Sequence, residues 1–565
     1  MVLEHNVLPF GLTSLGARAI AAIAALFILR FLYRGYQQRM MVKKLVHQGI
    51  PVLPHSWFLG HIKILSEFRT SHPADVSFYT FPAWLKLNAG KYFPRGKVPG
   101  VVYVDLWPLT YSYAFVLDGE AGTQFTISPS LNKHKVVGDY LVLMTHGHDL
   151  FAGNGQLWRK WRSRLNPGFS SRHMTTMIPE ILDEVIKFVD VLKDKTGANG
   201  KWGQVFVMEP KAINLTFNVI TKTIIDICID DQKAEEGHPI KVAMVEQIKL
   251  MNEAFVSLMP NIPFSSTAKR LKQIGRYNDI VRNILLPHIE TKIEENGTNV
   301  KRQTSLDLAL DSMDKDLAKE GSGATQAQYI DQLIGNLKIM MFAGHDTTAI
   351  TICMMFKCLQ DNPKCLEQLR AEHDAILGPD PQKAAEIITE SAHLIHNLPY
   401  TLAVIKETLR LYPIASTVRQ GTADCFLTPK GETTQYPTGG WAVWSGITVV
   451  HRDPVYWPRP DEFLPERWTV EAGHPLHPVL KHAWQAFAIG PRNCIGMELA
   501  LTELKLVSVL TARVLEVREA WDEWDQKQGA DAKPKDMING QRLYMVGAGT
   551  MHPKDEMPVC VRLRA

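Results

Sequence analysis

Hydrophobic residues along this chain follow two rhythms. They recur at helical spacing through residues 178–192, 212–229, 240–258, 277–295 and 329–359, and each stretch predicts a helix. Pro287 interrupts the fourth and predicts a kink or a split there. Strand-like runs lie elsewhere, in VVYVDL (101–106) and YSYAFVL (111–117), and again between about 417 and 450, where Gly439-Gly440 marks a turn. Polar stretches at 193–203 and 297–323 predict surface loops. A last helix is expected just after position 494, with short strands and mixed loops beyond it. No internal repeat is evident. The pattern predicts a mainly α fold with a small β lobe drawn from two separated segments.

The N-terminal pattern is different. Residues 19–29 (AIAAIAALFIL) carry no charge. Extended back through 8–17, the apolar zone reaches spanning length, about 20 residues for a ~30 Å hydrocarbon core. Arg18 interrupts it, and Arg30 sits where a long side chain can snorkel to an interface. Arg34, Arg39, Lys43 and Lys44 follow. A cleaved signal peptide is the competing reading, but no small-x-small cleavage site is clear. The basic C-terminal flank predicts an uncleaved anchor that keeps the rest of the chain cytosolic. The expected division is an anchor with its basic flank at 1–45 and one large domain at 46–565. Gly49-Ile50-Pro51-Val52-Leu53-Pro54 reads either as a stiff joint between them or as an ordinary loop. Sequons at Asn214 and Asn296 would then go unused.

Composition narrows the class. The chain has 565 residues, 45% of them hydrophobic, enough for a large core. A formal charge of +4 is small for that length, no long basic block occurs, and nucleic acid is not expected as a partner. The seven cysteines are Cys228, Cys353, Cys358, Cys365, Cys425, Cys494 and Cys560. Their odd number and the lack of a CxxC pair read as reduced thiols and argue against structural zinc.

One cysteine has an informative neighbourhood, Phe487-Ala488-Ile489-Gly490-Pro491-Arg492-Asn493-Cys494-Ile495-Gly496. Gly490-Pro491 forms a turn, and the expected helix starts just past the cysteine. The sulfur therefore sits at a helix N-terminus, where free N–H groups and the dipole stabilise a thiolate. A thiolate pushes electron density onto haem iron and favours O–O cleavage. Gly496 leaves room for a flat macrocycle, Phe487 can cover the sulfur face, and Arg492 can reach a haem carboxylate. A buried, inert cysteine is the alternative, but Phe-x-x-Gly-x-Arg-x-Cys-x-Gly fixes five positions out of ten. The loop resembles the haem-binding loop of the cytochrome P-450 family.

Further motifs carry the same resemblance, which covers nearly the whole chain from about Gly49 to the end. In Ala343-Gly344-His345-Asp346-Thr347-Thr348 the small residues open space on a helix, and Asp346 and Thr347 place an acid and an alcohol in series. Cleaving bound dioxygen needs protons delivered to a nearly dry pocket, and in the family this pair does that work. A helix kink with Thr back-bonding is the alternative. His345 occupies the motif's variable slot and is given no chemical role. Glu407 and Arg410 are three apart on one helix face. The resemblance implies that Arg467, in Phe463-Leu464-Pro465-Glu466-Arg467-Trp468, joins them in a buried network that locks the cysteine loop. The family most often has Phe where Trp468 stands. Trp158 and Arg162 are four apart on one face and match the family's propionate-binding pair, with Arg419 as a third partner; a basic surface helix is the alternative. His451-Arg452-Asp453-Pro454 is expected to be structural.

The resemblance implies a cytochrome P-450 fold with haem b between the long central helix and the cysteine loop. It implies a monooxygenase acting on an apolar small molecule. NADPH would serve indirectly, through a separate NADPH–cytochrome reductase, because no flavin or nucleotide domain is visible. Arg159 and Lys160 would either meet an acidic reductase face or be simply solvated. The anchor implies an endoplasmic reticulum membrane, and residues 473–478 resemble fungal secondary-metabolism members. Two rivals are a haem-thiolate isomerase or dehydratase and a non-catalytic haem sensor; Asp346-Thr347 argues against both. Expected pocket walls are 128–150, 247–264, 336–347, 414–417 and 547–551.

Overall fold

The computed structural model describes residues 10–93, 96–234, 236–256, 266–295, 304–317, 325–529, 536–547 and 549–564. Its axis is the helix Gln326–Asp361, 36 residues long. Thr325 caps it by accepting from the Gln328 amide, while the Gln328 side chain accepts from the Thr325 amide, so two donors that a helix start leaves orphaned are met. The helix is buried on nearly every side, the environment an all-round apolar helix requires. Helices Glu209–Ile225, Pro399–Leu411 and Met497–Ala512 pack around it, and Ile178–Lys193 closes a second layer. Ile181, Phe188, Leu215, Ile350 and Leu506 are fully buried between these layers, each contributing roughly 1.5–3 kcal/mol.

All five helices expected from spacing are present. The one expected at 178–192 is Ile178–Lys193, and 329–359 forms the body of the central helix. The one expected at 212–229 runs Glu209–Ile225: Pro210 fits its first turn, and Asp226, at φ +55°, ends it. The one expected at 240–258 is Pro239–Val256, with 257 and 258 outside the described residues. Pro287 does not split its helix, which runs Ser266–Glu294. Val281, Leu285 and Ile289 keep one buried face through the proline, and that burial outweighs the roughly 3 kcal/mol a mid-helix proline costs.

The stretch 297–323 is not a loop throughout, because helix Ser305–Leu317 lies inside it. Its apolar stripe is narrow but regular: Leu306, Ala309, Leu310 and Met313 are buried, and Thr304 and Asp307 cap each other's amides. A polar average hid the stripe. The rest of that stretch, 297–303 and 318–323, and the Asn296 sequon lie outside the described residues. Asn214 sits within a helix and accepts from Lys241 Nζ at 2.9 Å.

The β lobe orders its strands Val101–Val104, Tyr113–Val116, Ala442–Ser445 and Val418–Gln420, with the outer pairs antiparallel and the middle pair parallel. The strand signal of 417–450 stops at Ser445. Ile447–Val450 turns into a short helix after Gly446, where a Cβ would lie 2.5 Å from Leu117 Cδ2. A second sheet joins Phe206–Val207, Pro558–Leu563 and Leu515–Glu519. The ladder of Met545–Val546 with His552–Pro553 brings a late hairpin against the central helix.

The N-terminal helix runs Phe10–His47. Ile20, Leu26 and Phe27 are 71%, 66% and 69% exposed, and Gly16–His47 is long and apolar enough to cross a bilayer. The central helix passes the same test, but 83% of its apolar window is buried, which makes it core. The last turns of the N-terminal helix belong to the domain's packing. Val42 and Leu45 are buried. Arg39, read from the sequence as part of a basic flank, is instead buried in an ion pair with Asp105 and donates to the carbonyls of Trp57, Phe58 and Trp107. A guanidinium with those partners bolts helix to sheet and does not face lipid head groups.

Candidate active site

The cysteine loop folds as its glycine demands. Gly490 has φ +79°, and a Cβ there would lie 2.3 Å from the Thr126 carbonyl oxygen, so only glycine fits. The Asn493 amide donates to Gly490 O at 3.0 Å and the Cys494 amide to Phe487 O at 2.8 Å. Helix Met497–Ala512 starts three residues past Cys494, with Gly496 at its N-cap. A Cβ on Gly496 would find only Cys494 Sγ, at 4.0 Å. Burial pushes the Cys494 thiol up, against the Gly496 amide and Arg162, which pull it down. A bound metal cation at the sulfur would favour the thiolate.

Cys494 opens into a cavity that also takes in Phe487, Arg492 and Gly496 from its own loop, Trp158 and Arg162, and Ala343, Gly344 and Thr347 of the central helix. Of the expected walls, 128–150 contributes Lys133 and Leu150, 336–347 contributes Ile339 and Met340 as well, and 414–417 contributes all four residues. The described part of 247–264 does not line it: Gln247 is tied to Ile274 O and Asn278 in the packing of two helices. Residues 257–264 lie outside the described residues. The described part of 547–551 also stands back from the cavity, with the Met551 amide on Ile414 O at 2.9 Å.

Cations crowd one end. Arg162 donates to Asn493 O and Oδ1 at 2.8 and 3.0 Å. Arg492 donates to Gly153 O and Asn154 Oδ1 and stacks 4.2 Å over the Trp158 ring. Arg419 is fully buried; its Nη1 reaches Leu131 O, but its Nε and Nη2 are unpaired. Lys133, which sequence reasoning missed, is buried with Nζ on Thr417 Oγ1, and burial, then Arg419 and Arg492, push its pKa well down. Burial lowers Arg419 and Arg492 to about 10. No described lining residue is acidic. Buried cations without anions are costly, so this end fits the carboxylates of a bound haem.

The central helix supplies the opposite side. Thr347 lines the cavity and donates to Ala343 O at 2.9 Å, the back-bonded form. Gly344 is not free space: a Cβ there would lie 2.5 Å from Ile220 Cδ1, so its smallness admits a neighbouring helix, while Ala343 faces the cavity. The Asp346 carboxylate does not line the cavity and instead meets Thr550. His345 is buried and donates Nδ1–H to Met341 O at 2.7 Å, a packing role.

Glu407, Arg410 and Arg467 form one fully buried network. Arg410 grips both carboxylate oxygens at 2.9 and 2.8 Å, and Arg467 Nε reaches Oε1 at 3.0 Å. The Leu464 amide and the Trp468 indole N–H complete five donors. The spare guanidinium N–H groups hold the carbonyls of His451, Pro460, Glu462, Pro458 and Arg459. His451 carries the connection onward: its Nδ1–H donates to Arg410 O, and its Nε2 accepts from the Gln485 amide, two residues before Phe487. Burial, then Arg410, lower its pKa to about 3 and keep it neutral. Rings also bridge Trp468 to Trp484 to Phe487, at 5.7 and 5.8 Å. Trp468 is thus more than a large substitute for Phe. Trp468→Phe keeps the stacking, loses one donor to a buried carboxylate, and is expected to cost about 1–3 kcal/mol in denaturant unfolding of the haem-loaded protein.

The Cytochrome P-450 family model matches residues 119–529. The chain is similar to cytochrome P-450 monooxygenase polC of Polytolypa hystricis, 31% identical over 97% of this chain and 95% of that one. It is also similar to cytochrome P-450 monooxygenase acrF of Aspergillus aculeatus, 29% identical over 82% and 94%. Among solved structures, a cytochrome P-450DA haem domain superposes with a TM-score of 0.64 at 20% identity, over 82% of this chain and 90% of that one, which bears on the fold.

Proposed function

Because this chain belongs to the cytochrome P-450 family and is a haem-dependent monooxygenase that takes its electrons from a redox partner, we propose that Cys494 ligates haem b and that the substrate is an apolar small organic molecule. The observation that carries this reading is the cation-rich, acid-free end of a cavity whose other landmark is one cysteine sulfur. Trp158, Arg162, Arg419 and Arg492, with Lys133, hold the two propionates. Bound haem supplies dioxygen activation, with one oxygen atom going to substrate and the other to water. The apolar lining, including Leu150, Phe151, Ile339, Met340 and Ile414, orients the substrate and excludes water. Asp346 and Thr347 move protons to the reacting end, and the Thr347 hydroxyl, released from Ala343 O, is the last group in that path.

The electron donor in this reading is a membrane-bound NADPH–cytochrome reductase. Arg159 and Lys160 are exposed on the helix that also carries Arg162 and offer cations to the reductase's acidic face. In this reading the protein is anchored in the endoplasmic reticulum membrane, supported by an N-terminal helix long and apolar enough to span a bilayer, and its fungal relatives support a step in secondary-metabolite biosynthesis.

Full-length protein in membranes, given reductase, NADPH, heavy-oxygen dioxygen and extracts from a strain lacking the gene, should yield a product one labelled oxygen heavier than its precursor. Product formed without reductase or label would mean an isomerase or dehydratase; no product with any extract would mean a sensor. Thr347→Ala should keep haem but release most NADPH electrons as hydrogen peroxide, read as peroxide per NADPH. Coupling equal to the parent enzyme's would remove the hydroxyl from the path.

A further inference from the structure

The Asp346 carboxylate looks away from the cavity, into a cluster built from three distant segments. It accepts from the Thr550 hydroxyl. Thr550 Oγ1 lies 3.0 Å from His552 Nε2, and His552 Nδ1 lies 2.5 Å from Glu209 Oε1 at the start of helix Glu209–Ile225. His552 Nε2 is 3.6 Å from Asp346 Oδ2. Hydrogen-bond supply fixes the charge. With both carboxyl groups ionised, Thr550 spends its one proton on Asp346, so its oxygen accepts from Nε2–H, and the Glu209 carboxylate accepts from Nδ1–H. Both ring nitrogens donate, so the ring is an imidazolium between two carboxylates.

Burial pulls His552 down, but Asp346 and Glu209 outweigh it and hold its pKa at about 9. Glu556 adds to that pull. Burial raises Glu209, against His552. The other titratable groups facing the cluster include His345 and Cys353 on the central helix, the latter feeling Glu209, Tyr140, which feels Asp346, and Lys241, which acts on His345. An ion cluster this buried is a poor route to stability, whereas opposed titratable groups beside a reaction site are a common functional arrangement.

Resting on the monooxygenase reading and deepening it, we propose that His552 is the positioning residue that loads Asp346 with protons through Thr550. The Nε2–H bond breaks and its proton passes to Thr550 Oγ1 as the Thr550 hydroxyl proton passes to Asp346 Oδ2. The imidazole keeps Nδ1–H on Glu209 and is recharged at Nε2 from solvent, to which 21% of its side chain is exposed. Neutral Asp346 no longer pairs with His552 and is released toward its neighbour Thr347. Because the folded pKa is raised, the cluster's hold is complete below the ordinary histidine value and fades as pH rises through about 9.

Histidine C2 hydrogen exchange of the full-length haem-loaded protein, read by mass spectrometry against pH, should give His552 a midpoint near 9, lowered by Glu209→Gln. NADPH coupling in the parent enzyme should fall through the same pH. His552→Gln should lower coupled turnover on the order of tenfold at neutral pH, flatten that limb and enlarge the solvent deuterium isotope effect. Should His552→Gln fail to load haem, Thr550→Val against Thr550→Ser makes the same test, with loss in the first and retention in the second. An ordinary His552 midpoint, or unchanged pH profiles in both His552→Gln and Thr550→Val, overturns the loading role while leaving an active parent enzyme. A parent enzyme with no NADPH-driven product fails the monooxygenase reading instead.

Discussion

Cys494→Ala is expected to leave the fold standing and abolish turnover. The loop around it is held by other groups: the Cys494 amide on Phe487 O, Arg162 on Asn493 and Gly490 against Thr126. Haem should still dock, because the five propionate partners are intact. The reduced carbon monoxide complex should lose its thiolate-type Soret band and show the band of a neutral or nitrogen-ligated haem. Product should fall below detection in the presence of saturating reductase. Retention of the thiolate-type band in Cys494→Ala would assign the ligand to another sulfur.

Glu407→Ala should have the largest effect on folding. The carboxylate is fully buried and receives five donors, four of them on Arg410, Arg467 and Trp468. Removing it leaves two guanidinium groups buried without a counter-ion, a cost of about 3–5 kcal/mol. That is a large share of a domain's usual net stability of roughly 5–15 kcal/mol. The damage should travel to the cysteine loop by two routes, His451 to Gln485 and Trp468 through Trp484 to Phe487. The expected result is low soluble yield and less than a stoichiometric load of haem, measured as haem per polypeptide. Glu407→Gln, which keeps one acceptor oxygen, should fall between. Soluble, fully loaded Glu407→Ala would contradict the locking role.

Local chemistry was legible in the sequence wherever it lies within one segment. The cysteine loop needs its turn, its sulfur and the start of a helix within ten residues, and the spacing alone predicts that arrangement. Helix positions were also legible, because 3.6-residue periodicity survives in long apolar faces. Ser305–Leu317 was missed because its stripe occupies few positions among charged ones. Arg39 read as a membrane-flanking charge because its partner, Asp105, lies 66 residues away. Lys133, Thr550, His552 and Glu209 were invisible for the same reason: each acquires its role only when a distant segment arrives. Gly344 was legible as a small residue, but whether a ligand or Ile220 fills that space is decided by tertiary packing. Trp468 was visible as a departure from the family, and only the buried carboxylate beside it shows what the indole N–H does.

The central claim is a bond between one sulfur and iron, and X-ray absorption at the iron edge of the purified, haem-loaded protein tests it without reference to substrate. The account predicts one sulfur scatterer at axial distance beside the four porphyrin nitrogens, absent in Cys494→Ala. An axial position filled only by nitrogen or oxygen in the unaltered protein would contradict it.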